Sequence, residues 1–202
     1  MGEFNKEEGE ELVRHARNSI EMYLDRGVVI DDEPKNEKFR EKRGVFVTLE
    51  TFPERELRGC IGYPLPFRPL WRAVTECAIS AAVGDPRFNP VRKEELDKLV
   101  VEVSVLTEPM RIVAKPEDLP KAIKVGVDGL IIEKGGYSGL LLPQVPVEWG
   151  WNEEEFLSHT CMKAGLPKDE WRKGGCDVYK FTAQVFSEER PRGEVFIKKL
   201  GD

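Results

Sequence analysis

The stretch Leu57-Arg58-Gly59-Cys60-Ile61-Gly62-Tyr63 sets a thiol, a guanidinium and two glycines side by side. Read as a strand, period-two alternation puts Arg58, Cys60 and Gly62 on one face and Gly59, Ile61 and Tyr63 on the other. A guanidinium about 7 Å away along the strand favours the thiolate of Cys60, the form that attacks electrophiles and binds metals. Glycine inside a strand gives up packing and marks a bulge or a close approach, so Gly59 and Gly62 are candidate ligand contacts beside Arg58 and Cys60, the candidate catalytic pair. The opposing reading makes Cys60 a small core residue and Arg58 a surface charge.

His159, one of two histidines, shares a predicted helix with Cys161. At ~100° per residue the two stand about 160° apart, so one metal cannot take both. Cys161 falls on the apolar arc with Phe156, Leu157, Thr160 and Ala164, and Cys77 lies mid-stripe on an earlier helix, so both read as core. His159 flanks the arc. It is either a general base for Cys60, if two halves of the chain face each other, or a half-exposed histidine without a role. His15, on the polar side of the first helix, reads as surface.

Asp85-Pro86-Arg87 follows Gly84 at a helix end, where a turn accounts for Asp85 and Pro86. Arg87 is then an anion contact or the partner of Asp85. Gln144 and Glu148, with Trp149 and Trp151, read as a loop held by Pro143 and Pro146, suited to a binding rim; the alternative buries both tryptophans.

The elements that must position these residues begin with an amphipathic helix over 6–25, opened by a capping box at Asn5 and Glu8. A strand–strand–helix–strand order then occurs twice, over about 44–106 and 128–187. The first copy has strands 45–50 and 57–63, a helix starting at Pro69, and the strand 99–106. The second has a hairpin turning at Gly135-Gly136, a helix over 153–164 capped by Asn152 and Gly165, and the alternating strand 177–186. The absence of βαβ alternation argues for an α+β fold with a largely antiparallel sheet shared by both halves and flanking helices.

With 202 residues, a net charge of −6 and 34% charged residues, the chain can bury a core without staples. The high charge content resembles that of thermophiles. The basic runs 35–43 and 190–199 are interleaved with glutamates and read as solvated loop or tail, which excludes a nucleic-acid partner. No apolar run is long enough for a membrane span, and no GxGxxG or Walker sequence supports nucleotide binding. Four cysteines without CxxC spacing and no signal peptide indicate a cytoplasmic protein with free thiols and no metal site, although Cys161 and Cys176 are placed so that a disulfide stays open.

The hexapeptide Leu57 to Gly62 resembles the signature of the AMMECR domain family, in an archaeal or bacterial-type member. The resemblance continues through Asp85-Pro86-Arg87-Phe88, the runs 102–107 and 140–145, Thr160-Cys161 and Ala164-Gly165-Leu166. It implies a single domain over 1–202 with a duplicated, barrel-like α+β fold. It also implies association with Memo-like proteins and radical S-adenosylmethionine enzymes, without a settled activity or cofactor. The expected function is a cysteine-dependent enzyme or small-ligand-binding protein; the alternative is a non-catalytic protein- or peptide-binding module.

Overall fold

The computed structural model describes residues 4–198, which form two compact units, 4–106 with 184–198 and 107–183. The first unit opens with α1 (Lys6–Arg26), where the Asn5 side chain accepts from Glu8 N and Glu8 returns the bond to Asn5 N. Gly27 closes the helix at φ +67°, a left-handed position that glycine adopts without a Cβ penalty. Leu12, Val13, Ala16 and Ile20 bury against the sheet formed by β1 (Val45–Thr51), β2 (Leu57–Tyr63), β3 (Leu99–Leu106), β8 (Ala183–Glu188) and β9 (Val195–Lys198). The strand order is β2-β1-β3-β8-β9, with β1 antiparallel to both β2 and β3. Helix α2 (Leu70–Val83), for which Pro69 is the N-cap and not the first helical residue, packs Ala73, Val74, Cys77, Ala78 and Ala81 into the same core.

Alternation along the strands assigns the faces. Val45, Val47 and Leu49 of β1 and Val101, Val103 and Val105 of β3 belong to the core shared with the helices. Phe46, Thr48, Glu50, Glu102 and Ser104 therefore point to the other face.

The second unit carries a sheet of order β4-β7-β5-β6, from β4 (Met110–Arg111), β5 (Gly129–Lys134), β6 (Tyr137–Leu141) and β7 (Asp177–Phe181). Its helices are α3 (Gln144–Trp149) and α4 (Glu153–Lys163). Asn152 caps α4 through the N–H groups of Glu154 and Glu155, and Gly165 follows it at φ +76°. Phe156, Leu157 and Cys161 bury against Leu130, Ile132, Trp171 and Val178.

The structure differs from these expectations at several points. Both halves do not share one sheet, and among the described residues neither sheet closes into a barrel: each has two edge strands. The strand read over 177–186 is two strands, broken at Thr182, whose N–H donates to Thr107 Oγ1 at 2.8 Å while its carbonyl accepts Thr107 N at 2.9 Å. The basic segment 190–198 is not tail throughout, since β9 pairs with β8 and buries Val195. The segment 35–43 turns through a short 3-10 helix that buries Phe39, with Arg43 buried as well. Among the described residues no helix is long and apolar enough to cross a membrane.

Candidate functional site

Cys60 lies on β2, at one edge of the five-stranded sheet, opposite Thr48, which is in turn opposite Glu102 of β3. The register therefore aligns Cys60, Thr48 and Glu102 across three neighbouring strands on one face. Thr48 Oγ1 donates to Cys60 Sγ at 3.3 Å. Glu102 is 4% exposed, and burial pushes its carboxyl above the usual range against the opposing pull of Lys198. Lys198 Nζ donates to Glu102 Oε2 at 3.0 Å and stands 4.0 Å from Glu50 Oε1.

An edge strand exposes backbone groups that invite pairing with another chain. Here the Asp85-Pro86-Arg87 turn after α2 satisfies those of Cys60. Cys60 N–H donates to Asp85 Oδ2 at 2.9 Å, and Cys60 C=O accepts from Arg87 Nη2 at 3.3 Å. Arg87 also grips Asp85 through Nε at 2.9 Å and Nη2 at 2.7 Å, and its guanidinium first, with the Cys60 N–H, holds the Asp85 carboxyl well below the usual carboxylate range. The pairing alternative for Arg87 is what the geometry shows, while about half of its side chain stays open to solvent.

The two glycines have internal explanations. A Cβ on Gly59 would come within 2.1 Å of Ala81 O, so the strand touches the end of α2 directly. A Cβ on Gly62 would meet the Phe46 ring at 2.3 Å and Val45 O at 2.4 Å. Neither approach is that of a ligand. Gly59→Ala is expected to cost about 1–3 kcal/mol, because helix backbone cannot swing aside as a side chain can. Urea unfolding measures it, and an unchanged midpoint would refute direct strand–helix contact.

Arg58 does not serve Cys60. Its Nε and Nη2 bind Glu95 at 3.1 and 3.3 Å, and Nη1 binds Asn89 O at 2.9 Å. Burial pushes the Cys60 thiol up; the Thr48 hydrogen bond and then the Arg87 guanidinium oppose this. The expected activated thiolate is thus replaced by a thiol held neutral. Burial pushes Cys77 up to about 12 and Cys161 up to about 11. All four cysteines are free.

The remaining candidates belong to the second unit. His159 on α4 is half-buried and lies face to face with Trp151, ring centroids 3.7 Å apart. Gln144 and Glu148 sit on α3, a short helix where a loop was expected; Gln144 Oε1 is buried without a hydrogen-bond partner among the described residues, and Glu148 is exposed. Trp149 is 70% exposed, whereas Trp151 packs partly against the second core. His15 is not a surface residue: it is 5% exposed, stacked on Trp71 at 3.5 Å and bonded to Thr75 Oγ1 at 2.7 Å. Among the described residues no group of acidic, cysteine or histidine side chains is arranged to hold a metal.

The AMMECR1 family model matches residues 13–186. The chain belongs to the AMMECR1 family. A Thermococcus gammatolerans protein is 59% identical over 204 residues, covering 99% of this chain and 100% of that one. Protein MJ0810 of Methanocaldococcus jannaschii is 58% identical, covering 96% of each. The crystal structure of protein PH0010 from Pyrococcus horikoshii is similar with a TM-score of 0.92 at 57% identity, over 98% of this chain and 99% of that one. In this AMMECR1 chain the hexapeptide and the Asp-Pro-Arg turn act together, since one supplies the edge strand and the other ties it to the end of α2.

Sequence reasoning missed Thr48, Glu102 and Lys198. Glu102 carried a signal: it interrupts the run Leu99-Val100-Val101-Glu102-Val103, where every other side chain is apolar. Thr48 and Lys198 become visible only through strand register.

Proposed function

We propose that this protein binds a small ligand at the Cys60–Thr48–Glu102 row, with Cys60 acting as a neutral thiol contact. The observation that supports this reading is Glu102: a carboxylate buried in a valine-rich strand, paired with Lys198 and in register with Thr48 and Cys60. Taking a carboxylate out of water costs several kcal/mol, so a strand serving only packing would carry an apolar residue there. Perturbed, partnered carboxyls of this kind cluster at functional sites. The row offers a ligand one carboxyl, one hydroxyl and one soft sulfur, with the Arg87 guanidinium at the strand edge. A cysteine-dependent enzyme needs the thiolate, which burial opposes, and so binding fits the geometry better. We place the site in a cytoplasmic pathway with Memo-like and radical S-adenosylmethionine proteins, as the family resemblance implies. We also read the common strand–strand–helix–strand order of the two units as an internal repeat within one functional domain.

Native alkylation followed across pH, with peptide mapping, tests the thiol. Cys60 is expected to label faster than Cys77 and Cys161, which are 1% and 0% exposed, with a midpoint above the ordinary thiol range. Arg58→Ala leaves that midpoint in place, while Arg87→Ala raises it by removing the nearby cation and freeing Asp85. A midpoint near neutrality would overturn the neutral-thiol reading and restore thiolate catalysis. Non-denaturing mass spectrometry of purified protein then tests the site: a bound small molecule is expected to disappear in Glu102→Gln and in Cys60→Ser. Retention in both variants would move the ligand elsewhere.

A further inference from the structure

The second unit carries a surface that the Cys60 row does not explain. Helix α3 ends at Gly150, φ +66°, whose N–H bonds Pro146 O and Val147 O, and Trp151 N bonds Pro146 O at 2.8 Å. Asn152 then starts α4 through a reciprocal capping box with Glu155. The backbone from Pro146 to Glu155 is thereby fixed at both ends. On it three rings form a ladder: Trp149 lies 6.2 Å from Trp151 with planes 18° apart, and Trp151 lies 3.7 Å from His159 with planes parallel.

The ladder ends in solvent, since Trp149 is 70% exposed. An indole held in place by stacking pays little entropy when a partner covers it, and such rigid exposed aromatics anchor interfaces. The charge beside it selects the partner. Glu148, adjacent to Trp149 and exposed, and Glu153 at the start of α4 have no salt-bridge partner among the described residues, whereas Glu154 is paired with Arg172. Cations sit favourably over indole faces, and among side chains arginine stacks on a ring plane while its fork binds a carboxylate.

We propose that Trp149 and Glu148 form a docking site for an arginine side chain on an exposed segment of a partner protein. The guanidinium stacks on the open indole as the next plane of the ladder, and Glu148 neutralises it. This surface is independent of the ligand reading for Cys60, and either can fail without the other.

The test is isothermal titration of the full chain with the peptide Gly-Arg-Gly-Arg-Gly-Arg-Gly-amide, beside the same peptide with citrulline for arginine. Citrulline keeps the shape and removes the charge. The arginine peptide is expected to bind at least about tenfold more tightly than the citrulline peptide, and Trp149→Ala to weaken it about tenfold. Glu148→Gln, a change at an exposed position that leaves folding intact, is expected to weaken it about threefold and to reduce its salt dependence. Equal binding of the two peptides, or unchanged binding by both variants, would overturn the proposal. A single-stranded oligothymidine that binds and is lost with Trp149→Ala would replace it with a nucleic-acid site. Dimerisation lost with the same variant would replace it with a second copy of this chain.

Discussion

Glu188→Ala is expected to destabilise the protein by about 3–5 kcal/mol, the cost of leaving a buried charge without its partner. Glu188 is 0% and Arg17 4% exposed. Arg17 Nε donates to Glu188 Oε1 at 2.7 Å, Val101 N donates to Oε2 at 3.1 Å, and Arg17 also reaches Leu96 O at 3.3 Å and Leu99 O at 2.6 Å. One carboxylate thus joins α1, β3 and β8. Removing it strands a guanidinium inside the first unit and frees a β3 N–H from its side-chain acceptor. For a chain of this size the loss corresponds to a fall in Tm of roughly 6–20 °C. The paired replacement Arg17→Met with Glu188→Leu is expected to recover part of it, because no charge is then left stranded, while the Val101 N–H still lacks its acceptor. Thermal unfolding of all three proteins decides the matter; a loss below about 1 kcal/mol in Glu188→Ala would mean that water reaches the pair.

That ion pair also shows where the sequence stops speaking. Its members are 171 positions apart, and each reads alone as an ordinary surface charge on an amphipathic element. Local signals fared better. The Asn5–Glu8 box, the Asn152 cap, the Gly135-Gly136 hairpin and the apolar stripes of α1, α2 and α4 all depend on neighbours within a few residues, and the structure places them as read. The division of strands between two sheets was not legible, because alternation continues unbroken through Thr182 and only the Thr107 hydrogen bonds interrupt the ladder. Strand β9 was hidden for a different reason: its four residues lie in a segment rich in charge, and its pairing with β8 outweighs that local polarity.

At the candidate site the hexapeptide and the Asp-Pro-Arg turn were visible as motifs, but their physical roles were not. Alternation predicted that Arg58 would act on Cys60, yet the guanidinium follows Glu95, a carboxylate brought near by the 3-10 turn at Lys93–Lys98. Glycine in a strand predicted close approach at Gly59, and close approach there is, though by Ala81 O and not by a ligand. Residue types identify what chemistry is present. Long-range register decides which group receives it.

The second large effect concerns pH and follows from His15, whose helical position suggested solvent and whose ring lies against Trp71. Burial pushes its pKa from 6.5 down to about 4, against the opposing pull of Asp32 and the Trp71 carbonyl. The folded protein therefore keeps His15 neutral where the unfolded chain already protonates it. A group whose folded pKa is depressed contributes stability that is whole above the unfolded pKa and is lost as pH falls towards the folded one. The window here runs from about pH 6.5 to about pH 4, and each pH unit within it is worth about 1.4 kcal/mol, or about 3 kcal/mol in all. Carboxyls such as Asp85 also lose stabilising charge at low pH, so the wild-type profile alone does not isolate the histidine. His15→Phe keeps a ring against Trp71 and cannot titrate. It gives up the Thr75 bond and starts from lower stability at neutral pH. The difference in unfolding free energy between wild type and His15→Phe, measured by urea denaturation from pH 7 to pH 4, should move by about 3 kcal/mol in favour of His15→Phe across that range. A difference that stays constant would show that the imidazole takes its proton in the folded state as readily as in water, and would place water beside it in the α1–α2 interface.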